Sequence, residues 1–163
     1  MHKSLLLFLM SISLLGCTTA TKTCINERTN KTIIRWGDYI TKTGAFKGYE
    51  YHAEDLHVYT VTSENRDSKP TLTIVDTVYA DVYCNRLNAV IEGFTEIQSL
   101  HSPGIISRSV EYVNEKTNVH KKAIWNPAFA TFGSKEFRTI YDSLMLSVPV
   151  KNIWPTVMDS TKQ

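Results

Sequence analysis

The chain is poor in the residue patterns that mark common catalytic and nucleotide-binding sites. Its 163 residues include three cysteines and seven glycines. No Cys-x-x-Cys, G-x-x-x-x-G-K-[ST] or G-x-G-x-x-G motif occurs, and no serine stands in a G-x-S-x-G turn. The sequence therefore gives no sign of a redox dithiol, a phosphate-binding loop, a dinucleotide fold or an α/β-hydrolase nucleophile. We predict no cofactor and favour a non-enzymatic protein.

An excess of one charge is also missing. The chain has 18 Lys and Arg against 16 Asp and Glu, a net charge of +2. Loss of residues 1–16 would remove Lys3 and no acidic residue, which leaves 17 basic residues and a net charge of +1. A net charge this small creates no strong field for nucleic acid. We expect no nucleic-acid partner.

The sequence also lacks an apolar run of the roughly 20 residues that a membrane-spanning helix requires. Its longest one, "LLLFLMSISLL" at residues 5–15, follows the basic Lys3 and is interrupted only by Ser11 and Ser13. A short basic start, an apolar stretch of this length and a small residue after it are typical of a secretory signal peptide. We therefore predict that residues 1–16 are a cleaved signal peptide.

Leu14, Leu15, Gly16 and Cys17 at the end of this run resemble the lipobox of bacterial lipoproteins, although Leu15 departs from the commoner small residue. The resemblance implies cleavage before Cys17, diacylglycerol on its thiol and acylation, for example by palmitate, of its amino group. Two or more acyl chains hold a protein stably on a membrane. In such lipoproteins of Gram-negative cells, an aspartate directly after the cysteine retains the protein at the inner membrane. This chain has Thr18 there, and the resemblance therefore implies an outer-membrane location facing the periplasm.

With Cys17 assigned to lipid, Cys24 and Cys84 remain in an oxidising compartment. An even pair there predicts a disulfide, against the alternatives of buried or free thiols and of a catalytic thiol at Cys84. A bridge between residues 60 positions apart contributes about 4 kcal/mol in the chain-entropy description. Six residues separate Cys17 from Cys24, and a flexible coil of that length spans roughly 15 Å. The domain is therefore expected close to the bilayer.

Residues 17–31 are rich in Thr and Asn and are predicted to be a lipidated N-terminus with a short linker, whereas residues 32–163 suit a single domain. The first half of the domain is dense in β-branched and aromatic residues. This pattern predicts strands in "TIIRW", "GDYITKTG", "GYEYHA", "LHVYTVTS" and "TLTIVD", with breaks at Gly37, Gly44 and Gly48.

Apolar residues at spacings of three and four predict a helix over residues 78–100, and a second helix with Ser134 as its N-cap. Between them, "IISRSVEYV" and "VHKKAIW" flank the turn-prone "NEKT" and predict a β-hairpin. The order of strands, helix, hairpin and helix predicts an α+β fold, an antiparallel sheet of hairpins with two amphipathic helices packed on one face.

The stretch "HAEDLH" brings His52, Asp55 and His57 close together in sequence, and all are metal-ligating residue types. In a continuous strand His52 and His57 would point to opposite faces. A shift in apolar alternation predicts a bulge or tight turn at Glu54 and Asp55, which would allow them to meet. We keep these residues as weak metal candidates beside the alternative of a solvated strand edge.

A candidate partner surface is centred on Lys121, Lys122 and Trp125. Cations and aromatic residues alternate along this segment, which also contains Phe129 and Arg138. Aromatic anchors mixed with cations are favoured at recognition surfaces, although such aromatic residues also form cores.

Taken together, these patterns favour a membrane-anchored bacterial envelope lipoprotein that is a non-catalytic binding or assembly module. One alternative is a membrane-tethered hydrolase or metalloenzyme that uses the region from His52 to His57. Another is an inhibitor or exclusion lipoprotein that acts on a foreign protein. The expected partners are the membrane, through Cys17, and an envelope protein.

Overall fold

The computed structural model describes Cys24 and residues 31–62, 70–97 and 100–153. The predicted signal peptide, Cys17 and most of the predicted linker lie outside the described residues. The strands are β1 (Thr32–Ile40), β2 (Ala45–His52), β3 (Asp55–Val61), β4 (Thr71–Thr77), β5 (Leu100–Ser102), β6 (Ile106–Asn114) and β7 (Val119–Trp125), and the helices are α1 (Ala80–Glu96) and α2 (Phe132–Met145), followed by a 3-10 turn at Val150–Asn152.

All seven strands belong to one sheet, in the order β4-β3-β2-β1-β6-β7-β5. Neighbouring strands are antiparallel except β5, which pairs in parallel with β7. Consecutive strands β1 to β4 therefore form a meander, and β6 with β7 forms the predicted hairpin. The α+β prediction is confirmed, with a largely antiparallel sheet and two helices.

The helices cover one face of this sheet, which we call the helix face. Alternating residues of β1 and β2, such as Trp36 and Tyr51, are fully buried there, and their ring centroids are 5.0 Å apart. Phe94 of α1 meets Phe137 of α2 at 4.8 Å, and Phe137 also stacks near Trp125 of β7 at 6.4 Å. Burial of these large rings against one another is the main apolar contribution to stability.

The intervening residues of each strand point to the opposite side of the sheet, which we call the open face because neither α1 nor α2 packs on it. Arg35 and Gly37 of β1 have this orientation. So do Glu50 of β2 and Glu111 of β6, which are the two strand partners of Arg35. Charged side chains collect here because the helix face takes the large apolar residues of the same strands.

The predicted disulfide is present between Cys24 and Cys84, whose Cα atoms are 5.4 Å apart. Cys84 lies in α1 and is 8% exposed, and Cys24 packs against the apolar core. The bridge therefore attaches the residues that precede β1 to the helix layer.

Three local predictions required correction. Gly37 and Gly48 do not interrupt strands but lie inside β1 and β2, whereas Gly44 is in the turn between them with φ of 72°. The first helix is shorter than the predicted 78–100, because the chain leaves helical geometry at Ile97. Residues 100–102 instead form the parallel edge strand β5.

The second helix begins three residues earlier than the sequence suggested. Thr131 is the N-cap, and Ser134 occupies the N3 position in a reciprocal capping box. The Thr131 side chain accepts a hydrogen bond from the backbone N–H of Ser134, and the Ser134 hydroxyl accepts one from the backbone N–H of Thr131. Ser134 therefore takes part in capping, but as the second member of the pair.

Candidate functional site

Four charged side chains of alternating sign form a row across the open face. The strand register places Arg35 of β1 directly opposite Glu50 of β2 on one side and Glu111 of β6 on the other. Glu111 in turn lies opposite Lys122 of β7. We call Glu50, Arg35, Glu111 and Lys122 the charged row. Opposite charges on neighbouring strands stabilise this register.

Arg35 is held between both carboxylates of the row. Its Nε lies 2.5 Å from Oε2 of Glu50, and its Nη1 lies 3.3 Å from Oε2 of Glu111. The Glu50 side chain is only 4% exposed, so the contact with Arg35 offsets the cost of burying a carboxylate. Burial opposes the charge of Arg35, but the hydrogen bond to Glu50 and the negative groups nearby outweigh it, and the pKa of Arg35 lies above its ordinary value.

The second oxygen of Glu111 is also engaged. Its Oε1 lies 2.5 Å from Nε2 of His120, whose side chain is 62% exposed. Both carboxylates of the charged row therefore already have partners within the domain.

Three aromatic rings lie beside the charged row. The guanidinium carbon of Arg35 is 4.7 Å from the centre of the Tyr59 ring, and Nζ of Lys122 is 5.0 Å from the centre of the Tyr39 ring. Phe46 meets Tyr59 edge to face at 5.6 Å. Ring faces attract cations, so Tyr39 and Tyr59 hold these two side chains over the sheet. Burial raises the pKa of Tyr59, and the charge of Arg35 opposes the rise only in part.

The rings and three members of the charged row, all but Glu50, line a shallow cavity next to the β1–β2 turn. Its volume is about 180 Å³, and its polar lining comes from Arg35, Glu111 and Lys122. The cavity suits a small polar head with an attached apolar group.

Two facing glycines form the floor of the open face. Gly37 and Gly48 are strand partners, and their backbones approach so closely that a Cβ on Gly48 would overlap the carbonyl oxygen of Trp36. The same added atom would lie 2.8 Å from the Phe46 ring. The absence of a side chain at Gly48 leaves room for the Phe46 ring beside it, where Phe46 forms a wall of the cavity.

The predicted metal candidates share the open face, because a two-residue turn at Ala53 and Glu54 joins β2 to β3. His52 is the strand partner of Asp55, and His57 that of Glu50. Asp55 accepts a hydrogen bond from Thr77 at 3.5 Å. Among the residues that the structure describes, no three His, Cys, Asp or Glu side chains form a group that could hold a metal ion. A tight turn was predicted at Glu54 and Asp55 and is found one residue earlier, with Asp55 already in β3. The metal hypothesis gains no geometric support.

The residues of the predicted partner surface are separated. Trp125 is 1% exposed and packs edge to face on Tyr141 of α2. Lys121 turns toward the helix face, where its Nζ donates a hydrogen bond to the carbonyl of Phe94 at 3.1 Å. Only Lys122 faces the cavity. Alternation along β7 is the physical reason, since consecutive strand residues point to opposite faces.

The sequence interpretation missed Arg35, Glu50 and Glu111. Each lies between two large apolar residues, as in "IRW", "YEY" and "VEY". A charge in that position indicates a strand whose apolar neighbours face a core while the charge faces the other side. That signal was available, but which strands pair, and in what register, was not.

Neither helix of the described residues is long and apolar enough to cross a membrane. No protein-family model matches the chain, and the search of the curated proteins finds no relative.

Proposed function

We propose that this chain is a lipid-anchored protein of the bacterial cell envelope whose domain binds another envelope component through the open face of its sheet. The anchor is the lipid expected on Cys17, and the domain is a non-catalytic binding or assembly module. The cavity beside the charged row carries this proposal, because it combines a polar lining with aromatic walls on a face that neither helix covers.

The disulfide supports an extracytoplasmic location. Bridges such as Cys24–Cys84 form and persist in oxidising compartments, and the bacterial periplasm is one of these. An oxidised pair also agrees with the assignment of the remaining cysteine, Cys17, to a different role.

The charged row supports binding. A buried carboxylate such as Glu50 is costly to keep unless it is paired, and a hydrophobic pair would stabilise the sheet as well. The row accounts for the placement of Arg35 and Lys122 in the lining of the cavity, where their side chains are available to a partner.

Photo-crosslinking in the native envelope tests the proposal. A photoreactive amino acid replaces His120, which is 62% exposed on the open face beside Glu111 and is not one of the proposed binding groups, and in a matched control it replaces Glu92, which is exposed on α1. We expect one reproducible protein adduct from position 120 and not from position 92. Equal adducts from both positions, or none from 120, would contradict binding through the open face.

The lipid anchor has a separate test. Growth with an alkyne analogue of palmitate should label the wild-type chain, and Cys17→Ala should abolish the label and release the protein from the membrane fraction. Retention of label in Cys17→Ala would refute the anchor. The identity of the crosslinked protein separates an assembly role from the alternative of inhibiting or excluding a foreign protein.

A further inference from the structure

The open-face cavity has more hydrogen-bond donors than its own carboxylates occupy. Glu111 uses one oxygen for Arg35 and the other for His120, and Glu50 is engaged by Arg35. Nζ of Lys122 contacts the Tyr39 ring but forms no ion pair with the part of the chain that the structure describes. Nη2 of Arg35 likewise has no hydrogen-bond partner among these residues. Arg35 and Lys122, which carry these donors, both line the cavity.

The charged groups that line the cavity favour a ligand with a single negative charge. Arg35 and Lys122 carry two positive charges and Glu111 carries one negative charge, so this lining sums to +1. One negative charge balances that sum, whereas a dianion such as phosphate would leave an excess negative charge beside Glu111. A carboxylate carries one charge and has two oxygens, which match one ammonium and one guanidinium N–H group.

The walls of the cavity determine what should follow the carboxylate. Tyr39, Phe46 and Tyr59 present ring surfaces around a volume of about 180 Å³. Aromatic groups pack on such walls with a geometric preference for edge-to-face or offset contacts. An aromatic or similarly flat apolar group separated from the carboxylate by one or two carbon atoms fits both the size and the lining.

We infer that the cavity binds the carboxylate of a ligand whose neighbouring group is aromatic. This chemistry is found in a free aromatic acid and in a peptide that ends in an aromatic residue. The inference rests on the proposed function, since it names the ligand class of the open face. Lys122 and Nη2 of Arg35 bind the carboxylate, and Tyr39, Phe46 and Tyr59 receive the ring.

Fluorine NMR on the full chain in maltoside micelles tests this assignment. The probe is N-acetyl-4-fluorophenylalanine, with protein-free micelles as the blank. We expect its resonance to broaden with protein and to recover with excess N-acetylphenylalanine. The neutral amide of the same compound and inorganic phosphate should not restore it. Recovery by the amide at the same concentration as the acid would overturn the role of the carboxylate, and absence of protein-dependent broadening would overturn the site.

The source of the carboxylate is resolved by a second competitor, acetyl-Gly-Gly-Phe. Displacement by both this peptide and the free acid indicates that the terminal group alone is recognised. Displacement by the peptide at much lower concentration indicates a protein or peptide chain end. Displacement by the free acid alone indicates a small-molecule ligand. Failure of both acids to compete would overturn the proposal.

Two neighbouring lysines provide a matched pair of variants. Lys122→Gln removes the donor from the cavity, and Lys121→Gln makes the same change on the other face of the same strand. We expect Lys122→Gln to weaken probe binding about fivefold, because it removes a partly exposed ion pair with the carboxylate. Lys121→Gln should change probe binding less than about twofold. Equal effects would overturn the assignment. Circular dichroism of both variants shows that each is folded.

The two proposals fail separately. If crosslinking from position 120 captures a partner while no carboxylate binds, the open face is an interface but the inferred ligand class is wrong. If the carboxylate binds and crosslinking finds no partner, the cavity assignment holds and the proposed binding of an envelope protein is wrong.

Discussion

Arg35 and Glu50 face each other across neighbouring strands, with Nε of the guanidinium 2.5 Å from a carboxylate oxygen whose side chain is 4% exposed. Glu111 approaches the same guanidinium from the other side at 3.3 Å. The three strands in the middle of the sheet are thus connected on the open face by one cation and two anions. Packing connects the same strands on the helix face.

Removal of one partner of this pair should be costly. Glu50→Gln leaves Arg35 half-buried beside a weaker acceptor. We expect the free energy of unfolding to fall by about 2 kcal/mol. The loss is smaller than for a fully buried ion pair because Glu111 still contacts Arg35. Urea denaturation measures the change. Glu115→Gln, on the exposed β6–β7 turn, is the control and should change stability by less than about 0.5 kcal/mol. Equal losses in both variants would show that the pairing contributes little.

The two facing glycines should not tolerate a methyl group. Gly48→Ala places Cβ against the Trp36 carbonyl, and separation of the strands should destabilise the fold by about 3 kcal/mol. Gly133→Ala in α2 is the control, because its Cβ would lie at an ordinary 3.4 Å from Leu100 and a helical alanine is favoured. Thermal melts should separate the two variants. Similar melting temperatures would contradict the close approach of β1 and β2.

The disulfide should account for a large share of stability. The double variant Cys24→Ser with Cys84→Ser should lose up to about 4 kcal/mol, since its unfolded chain is no longer closed into a loop. Chemical denaturation under identical conditions gives the difference. In Cys17→Ser, alkylation of the denatured protein without reductant should find no free thiol, and a labelled Cys24 or Cys84 would contradict the pairing.

High pH should destabilise the domain through its buried tyrosines. Burial, with a smaller contribution from Tyr112, raises the pKa of Tyr83 to about 12, and burial also raises the pKa of Tyr141. A pKa that is higher in the folded state than in the unfolded state means that folding favours the neutral tyrosine. The stability that the neutral tyrosine contributes is therefore complete below about pH 10 and is lost as the pH rises toward 12. For Tyr83 alone the loss approaches about 3 kcal/mol.

Melting temperatures between pH 9 and 12, together with tyrosinate absorbance, measure this effect. Tyr83→Phe should flatten the decline, because it removes the titrating hydroxyl and keeps the ring. Tyr79→Phe is the control, since Tyr79 is 83% exposed. A decline that is unchanged in Tyr83→Phe would show that other groups cause it.

Local sequence signals predicted most of the elements of this fold. Alternation in β1 and β2, the spacing of apolar residues in α1, and the turn between β6 and β7 each depend on neighbours in the chain. Cys24 and Cys84 could be paired because Cys17 had another expected role. Strand β5 was missed because its three residues carry no pattern of their own and are held by pairing with β7.

The candidate site was not predictable in the same way. Arg35, Glu50 and Glu111 come from three strands, and Arg35 and Glu111 are 76 positions apart in the chain. Their meeting depends on register, which is set by the whole sheet rather than by any local stretch. The segment around Lys122 drew attention through its composition, but composition cannot tell which of two adjacent lysines faces a cavity.

The bridge between Cys24 and Cys84 also gives the molecule an orientation. It attaches the N-terminal residues to α1, which lies on the side of the sheet opposite the charged row. If Cys17 carries the proposed lipid, only six residues lie between the lipid and Cys24, and the helix layer would be the side nearer the bilayer, with the cavity open toward the aqueous compartment. Reduction of the bridge would leave the domain attached to its lipid but free to turn either side to the membrane.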